Sequence, residues 1–216
     1  MPVLRKKAAK SAHPDPLDEL PPRQRAILIA AVQVLMERGY TRASTLEIAT
    51  RARVSKRELY AEFGSKRGIL EALIEGSAQR MQVPLAPADI GDRHALAAAL
   101  TAYGVSALTT LTNPYVIALY RLAIAEAPAN GELGSIIDAR GRQPNRRALI
   151  EIVRRGQAAG FLGVGEPDRI GQEFFALVLG DLMLWLLLGV TEPPDAGEIR
   201  HRAESATAAL LALHPA

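Results

Sequence analysis

Residues 44–66 read Ser44-Thr45-Leu46-Glu47-Ile48-Ala49-Thr50-Arg51-Ala52-Arg53-Val54-Ser55-Lys56-Arg57-Glu58-Leu59-Tyr60-Ala61-Glu62-Phe63-Gly64-Ser65-Lys66. Two Ser-x-x-Glu capping boxes, Ser44 to Glu47 and Ser55 to Glu58, mark two helix starts. A helix over about 45–52 turns Ile48, Ala49 and Ala52 inward, and the small alanines let a second helix approach closely. Arg53-Val54 makes the corner. The second helix, over about 56–63, buries Leu59 and Phe63 at i, i+4 spacing, and Gly64 stops it. Ser55, Lys56, Arg57, Tyr60 and Ala61 remain outward. A short basic helix held against another by a tight turn is the geometry that lies in the major groove of DNA.

Lys56 and Arg57 stand where base edges or phosphates would be in reach, and Tyr60 offers a phenolic donor to a phosphate. Lys66 adds an ammonium to the positive end of the next helix dipole. The simpler reading is a solvated basic helix in an ordinary bundle. Two features favour the first. Residues 1–70 hold 14 Lys/Arg against 7 Asp/Glu, whereas residues 71–216 hold 12 against 16. A basic head on a mildly acidic body is what phosphate binding needs. The helix ahead of the motif, Arg23 to Arg38, also carries Ile27, Ala31, Val34 and Leu35 on one side, a third wall for a small core that ends at Gly39-Tyr40.

The pattern Ile27 … Ala30-Ala31 … Leu35 … Gly39-Tyr40 … Thr45 … Ile48-Ala49 … Ala52-x-Val54-Ser55-Lys56-x-x-Leu59-Tyr60-x-x-Phe63-x-Ser65-Lys66 … Leu70 resembles the N-terminal domain of the TetR/AcrR family of transcriptional regulators, over about the first third of the chain. The resemblance implies an all-α fold: an N-terminal three-helix helix-turn-helix (homeodomain-like) domain and a C-terminal helical bundle for ligand binding and dimerisation. It implies a homodimeric repressor on a palindromic operator, released by a small-molecule effector. Carried over by position, Thr45, Ser55, Lys56, Arg57, Tyr60 and Lys66 fall where that family contacts DNA, largely at phosphates. The turn departs from the pattern, which often reads Ala-Gly-Val, because here it is Ala52-Arg53-Val54. Either the turn avoids positive φ, or Arg53 tolerates it and adds a phosphate contact.

The expected organisation is a flexible basic arm at 1–20, the helix-turn-helix domain at 21–66, a connecting helix at 67–83 and an effector-binding and dimerisation domain at 84–216. The arm, Arg5-Lys6-Lys7 … Lys10 followed by Pro14, Pro16 and Pro21-Pro22, reads as a solvated tail or as a strand of charge tracking phosphates. With 49% apolar residues the chain can build a substantial core, and without cysteine it has neither disulfides nor thiolate metal sites. No apolar stretch follows Leu4-Arg5-Lys6-Lys7, so a cytoplasmic protein is expected. His13, His94, His201 and His214 lack carboxylates at metal-ligand spacing and read as surface residues. Gly163-Val164-Gly165 follows no strand and makes no nucleotide loop. No metal, cofactor or catalytic set is expected.

Beyond the motif, Lys66 to Gln82 reads as one helix, and Pro84-Leu85-Ala86-Pro87 breaks the pattern. Asp92 opens a helix to about Thr112, and after Asn113-Pro114 another runs from Tyr115 to Ala127. A looser stretch through Gly131, Gly134 and Gly141 leads to a helix at 145–159 with Gly160 as its C-cap. The run Phe174 to Val190 is too short for the roughly 20 residues of a membrane span and has Asp181 at its middle. It reads as one helix buried on nearly every side, partly by a second copy of the chain. With the last helix, from Asp195-x-x-Glu198 to about Leu213, it suggests a four-helix dimer interface through Leu182, Leu186, Leu210 and Leu213. Tyr103, Tyr120, Arg121, Phe174, Phe175 and Trp185, with Met183, are candidates to line a pocket for a small apolar or amphipathic effector; core filling, and ordinary ion pairs for Arg121 and Glu126, are the plainer readings. Tyr120-Arg121-Leu122 … Glu126-Ala127-Pro128 and Ala158-x-Gly160-Phe161-Leu162 resemble the AefR-type subgroup, which names no ligand. The expected partners are a double-stranded DNA operator, a second copy and the effector, with no membrane. A helical ligand-sequestering or protein-interaction module that leaves its helix-turn-helix unused is the alternative.

Overall fold

Pro22 opens the first helix, α1 (Pro22–Arg42), where its missing amide breaks no helical bond. The computed structural model describes residues 20–82, 90–129 and 131–216; the basic arm up to residue 19, with His13, and the break at Pro84 to Pro87 lie outside them. Ile27, Ala31, Val34 and Leu35 of α1 are all buried. α2 (Thr45–Ala52) and α3 (Lys56–Phe63) complete a three-helix head, adding Ile48, Ala49 and Leu59 to its core. α4 (Lys66–Gln82) leaves the head, and its Ile69, Leu70 and Ile74 still belong to that core.

The body contains α5 (Arg93–Leu111), α6 (Pro114–Glu126), α7 (Glu132–Ile136), α8 (Gln143–Ala158), α9 (Pro167–Leu179), α10 (Leu182–Leu188) and α11 (Ala196–Leu213). Asp92 caps α5 by accepting from the Ala95 amide at 2.7 Å. α5 is long and apolar enough to cross a membrane, yet its Leu96, Leu100, Tyr103, Ala107 and Leu108 are buried in the body core against α8, α9 and α11. It is a core helix. The two cores interlock, because Leu133, Ile136 and Ile137 from the body side pack into the head.

Two expectations are corrected. The stretch from Gly131 to Asn145 is not loose: α7 runs through one wide π turn, Ile137–Arg142, directly into α8. Pro144 cannot donate to the helix ladder and its ring crowds the carbonyl four residues back; the wider turn ahead of it relieves both. The apolar run at 174–190 is not one helix either. Gly180 takes φ 47° and ψ −133°, a conformation that favours glycine, and α10 departs from α9 at 52°.

That break resets which leucines face where. Leu182, Leu186 and Leu210 are 3%, 2% and 0% exposed inside the single chain, so they are core rather than a dimer surface. Leu177, Leu184, Trp185 and Leu188 stand exposed instead, together with Leu213. Phe174 is fully buried with its ring 6.3 Å from that of Tyr103. Phe174→Ala should therefore lower the unfolding free energy by about 3–5 kcal/mol, read from urea denaturation of the purified chain.

Candidate nucleic-acid interface and internal cavity

The corner between α2 and α3 is built by side-chain oxygens meeting orphan amides. Ser55 Oγ accepts from the Glu58 amide at 3.1 Å, and Glu58 accepts from the Ser55 amide at 2.8 Å, a complete capping box. The backbone and hydroxyl hydrogen bonds from Ser55 hold the Glu58 carboxyl below its ordinary value of 4.5. The first box forms only by half. Ser44 Oγ accepts from the Glu47 amide, but the Glu47 carboxylate turns to Arg51 at 2.8 Å and Arg38 at 3.5 Å. A guanidinium four residues on is a stronger partner than a neutral amide. Arg51 also grips Glu37 at 2.7 and 2.5 Å, which pins α2 to α1. Arg53 does take the left-handed conformation, φ 56° and ψ 40°, with its side chain exposed. A non-glycine residue there costs about 1 kcal/mol.

Lys56, Arg57 and Tyr60 are exposed on α3. The Tyr60 hydroxyl lies 3.1 Å from Thr45 Oγ1, joining the middle of α3 to the start of α2, and Lys56 Nζ sits 5.6 Å from the Tyr60 ring centre. Thr45, Lys56 and Tyr60 therefore share one surface, and Arg57 is exposed on the same turn as Lys56. Ser55 stands beside them, exposed, with its hydroxyl held in the cap. Lys66 is placed otherwise. Half-buried, its ammonium donates to the carbonyls of Tyr40 at 2.8 Å and Ala43 at 3.2 Å and lies 4.4 Å from the Tyr40 ring centre. The end of α1 leaves those carbonyls without helical partners, and Lys66 supplies them.

A cavity of about 860 Å³ opens between α4, α5, α6, α8, α9 and α10. Tyr103, Tyr120, Phe175 and Met183 line it, as expected. Three other candidates do not. Phe174 is buried in the core, Trp185 is exposed, and Arg121 closes the end of α10 by donating to the carbonyls of Leu187 at 3.0 Å and Leu186 at 2.5 Å. Burial pushes the Tyr103 and Tyr120 phenols up, so both stay neutral donors. Charged groups are gathered at the rim, where Arg142 meets Asp138 at 2.7 Å and Arg146 meets Asp168 at 2.8 Å.

Glu126 does not pair with Arg121 either; it crosses to the head. Its carboxylate accepts from the Tyr40 amide at 2.5 Å, the Thr41 amide at 3.4 Å and the Thr41 hydroxyl at 3.2 Å. A Cβ at Gly39, whose φ is 76°, would lie 2.6 Å from a Glu126 oxygen. Thus α6, which walls the cavity through Val116, Leu119 and Tyr120, ends in a carboxylate bound to the last turn of α1. Nothing local in the sequence pairs positions 39–41 with 126; Gly39 before an aromatic was the only hint. His214 was expected at the surface but pairs with Glu173 at 2.7 Å. Among the described residues no cluster of three or more His, Asp and Glu could hold a metal ion.

A three-helix head with a preformed basic helix, tied to a helical body around a cavity, defines the class: a helix-turn-helix DNA-binding regulator. Residues 27–73 match the family described as bacterial regulatory proteins, tetR family, and residues 98–214 match the AefR-like transcriptional repressor C-terminal domain. A TetR transcriptional regulator from Agrobacterium tumefaciens is 31% identical, with a TM-score of 0.74 over 90% of this chain and 95% of that one. The flavonoid-responsive regulator FrrA is 25% identical, with a TM-score of 0.68 over 89% and 96%. The HTH-type regulator YvkB of Bacillus subtilis (strain 168) is 42% identical over 53 residues, which span 24% of this chain and only 28% of that protein. The chain belongs to the TetR family of transcriptional regulators, which are not enzymes.

The α3 cap gives a pH test. A carboxyl titrating lower in the folded state stabilises fully above its unfolded value, and that contribution disappears as pH falls through the lowered folded value. Ser55→Ala should cost about 1 kcal/mol near neutral pH, and the deficit relative to the parent should shrink in the acid range below 4.5, read from denaturation curves at stepped pH.

Proposed function

We propose that the chain is a sequence-specific repressor that acts in the cytoplasm as a homodimer on a palindromic operator and is released by a small apolar or amphipathic effector. The exposed Lys56, Arg57 and Tyr60 face, fixed to Thr45 by the 3.1 Å hydrogen bond, carries this reading. It presents donors and positive charge in one preset orientation at the start of a helix, which is what groove docking requires. Lys56 and Arg57 reach base edges or phosphates. Tyr60, Thr45 and the Ser55 end of α3 meet phosphates, and Arg53 at the corner adds a further charge. Lys66 acts indirectly, by fixing the end of α1, the first helix of the head.

The second copy docks on the face that leaves Leu177, Leu184, Trp185, Leu188 and Leu213 exposed on α9, α10 and α11. Two heads are then available for half-sites about 34 Å apart. The cavity reaches the head by two routes. α4 gives Ile74 to both the cavity wall and the head core, and α6 ends at the Glu126 contact. An effector that prefers another spacing of the heads weakens DNA binding by its differential affinity for the two states. That FrrA is flavonoid-responsive by name supports a ligand-responsive reading of the shared fold.

Fluorescence anisotropy on DNA retained from genomic fragments tests the docking. Tyr60→Phe should weaken binding several-fold across sequences, and Lys56→Ala or Arg57→Ala should reduce the salt slope by about 1 and alter sequence preference. Unchanged affinity in all three variants would remove α3 from the interface. The dimer face is tested separately: Leu184→Arg should shift sedimentation from dimer to monomer at micromolar chain and abolish operator binding. A variant that stays dimeric would place the interface elsewhere.

A further inference from the structure

The polar lining of the large cavity comes mainly from residues 138–147 and 168–172, apart from the hydroxyls of Ser77 and Thr110 on the far helices. Within that polar rim the two carboxylates are already matched, Asp138 by Arg142 and Asp168 by Arg146. Arg147 is exposed on the same rim and, among the described residues, donates only to the Gln143 carbonyl at 3.4 Å. The rim therefore has surplus positive charge. Beside it the Tyr120 hydroxyl, within electrostatic reach of Arg142 and Asp138, makes no hydrogen bond among the described residues. Further in, the lining is mostly apolar.

A second hollow of about 150 Å³ lies between α1, α4 and α6, bounded by Met36, Leu73 and Tyr115. Ser77, Val116 and Leu119 line both spaces. They form a partition one side chain thick between the cavity and the crevice under α1.

Resting on the reading of the cavity as an effector site, we propose that its ligand is an elongated amphipathic anion, with a carboxylate head at Arg147 and an apolar tail running to the Val116–Leu119 partition. Arg147 supplies a charge-assisted hydrogen bond to the head. A neutral ligand leaves the surplus charge unanswered, and a cation meets a positive rim. A tail long enough to displace Leu119 enters the crevice between α6 and α1, the junction that Glu126 spans, so length governs how strongly the ligand strains the head.

Isothermal titration of the full chain without DNA tests this, using straight-chain alkyl carboxylates of increasing length below their micellar concentrations and the matching alkanols. Affinity for the carboxylates should rise about fourfold per methylene until the tail fills the space. The alkanol of equal length should bind about tenfold more weakly or worse. Arg147→Gln, a substitution at an exposed position, should erase that difference while leaving alkanol affinity unchanged. Leu119→Trp should shorten the longest chain accepted. Equal binding of carboxylates and alkanols by the parent, an intact preference in Arg147→Gln, or no binding of either series overturns the proposal. If carboxylates bind as described yet leave operator affinity unaltered, the ligand class stands and the effector reading falls. If operator release is driven only by uncharged molecules, the effector reading stands and the ligand class falls.

Discussion

The last turn of α1 is the knot on which the molecule depends. Its amides at Tyr40 and Thr41 point to the Glu126 carboxylate, and its carbonyls at Tyr40 and Ala43 point to the Lys66 ammonium. A negative group and a positive group thus bind the two polarities of one stretch of backbone, one from α6 and the other from α4. Tyr40 fills the space between: its ring lies under Lys66, and its hydroxyl meets Glu132, with burial and that bond pushing the phenol up to about 12. Each bond to an ionised group at such a place is worth more than an exposed ion pair, because the backbone groups would otherwise be left unsatisfied.

The knot matters because the cores on either side of it are continuous. Ile69, Leu70 and Ile74 carry α4 out of the head, while Leu133, Ile136 and Ile137 carry the α7 segment into it. Packed interiors do not deform smoothly, so in the proposed response a shift at the cavity wall would reach the head as the displacement of whole helices. α6 is short and has one end at the cavity and the other at the knot, a lever with both ends loaded.

What could be read from the sequence was whatever is decided locally. Two Ser-x-x-Glu signals, a 3.6-residue rhythm and a glycine stop placed α2 and α3 to the residue, and the α1 core positions followed from their spacing. What failed was decided by partners distant in the chain. The Glu47 cap is the local exception, lost to Arg51 one turn on, whereas the Lys66 ammonium meets carbonyls at the end of α1, 26 and 23 residues back. Leu182, Leu186 and Leu210 were rightly seen as buried, but hydrophobicity does not say whether the cover comes from the same chain or another. The orientation turned on one backbone reversal at Gly180, a residue with no more emphasis in the sequence than Gly189. Glu126 and Arg121, neighbours in sequence spacing, serve opposite ends of the body, since one faces α1 and the other α10.

The break at Gly180 also decides where the single tryptophan goes. Trp185 is left 45% exposed on the face assigned to the second copy, and no other indole competes with it. An aromatic ring moved from water into an apolar contact emits at shorter wavelength. Under the proposed dimer this indole is an optical gauge of self-association, readable by dilution without any attached dye.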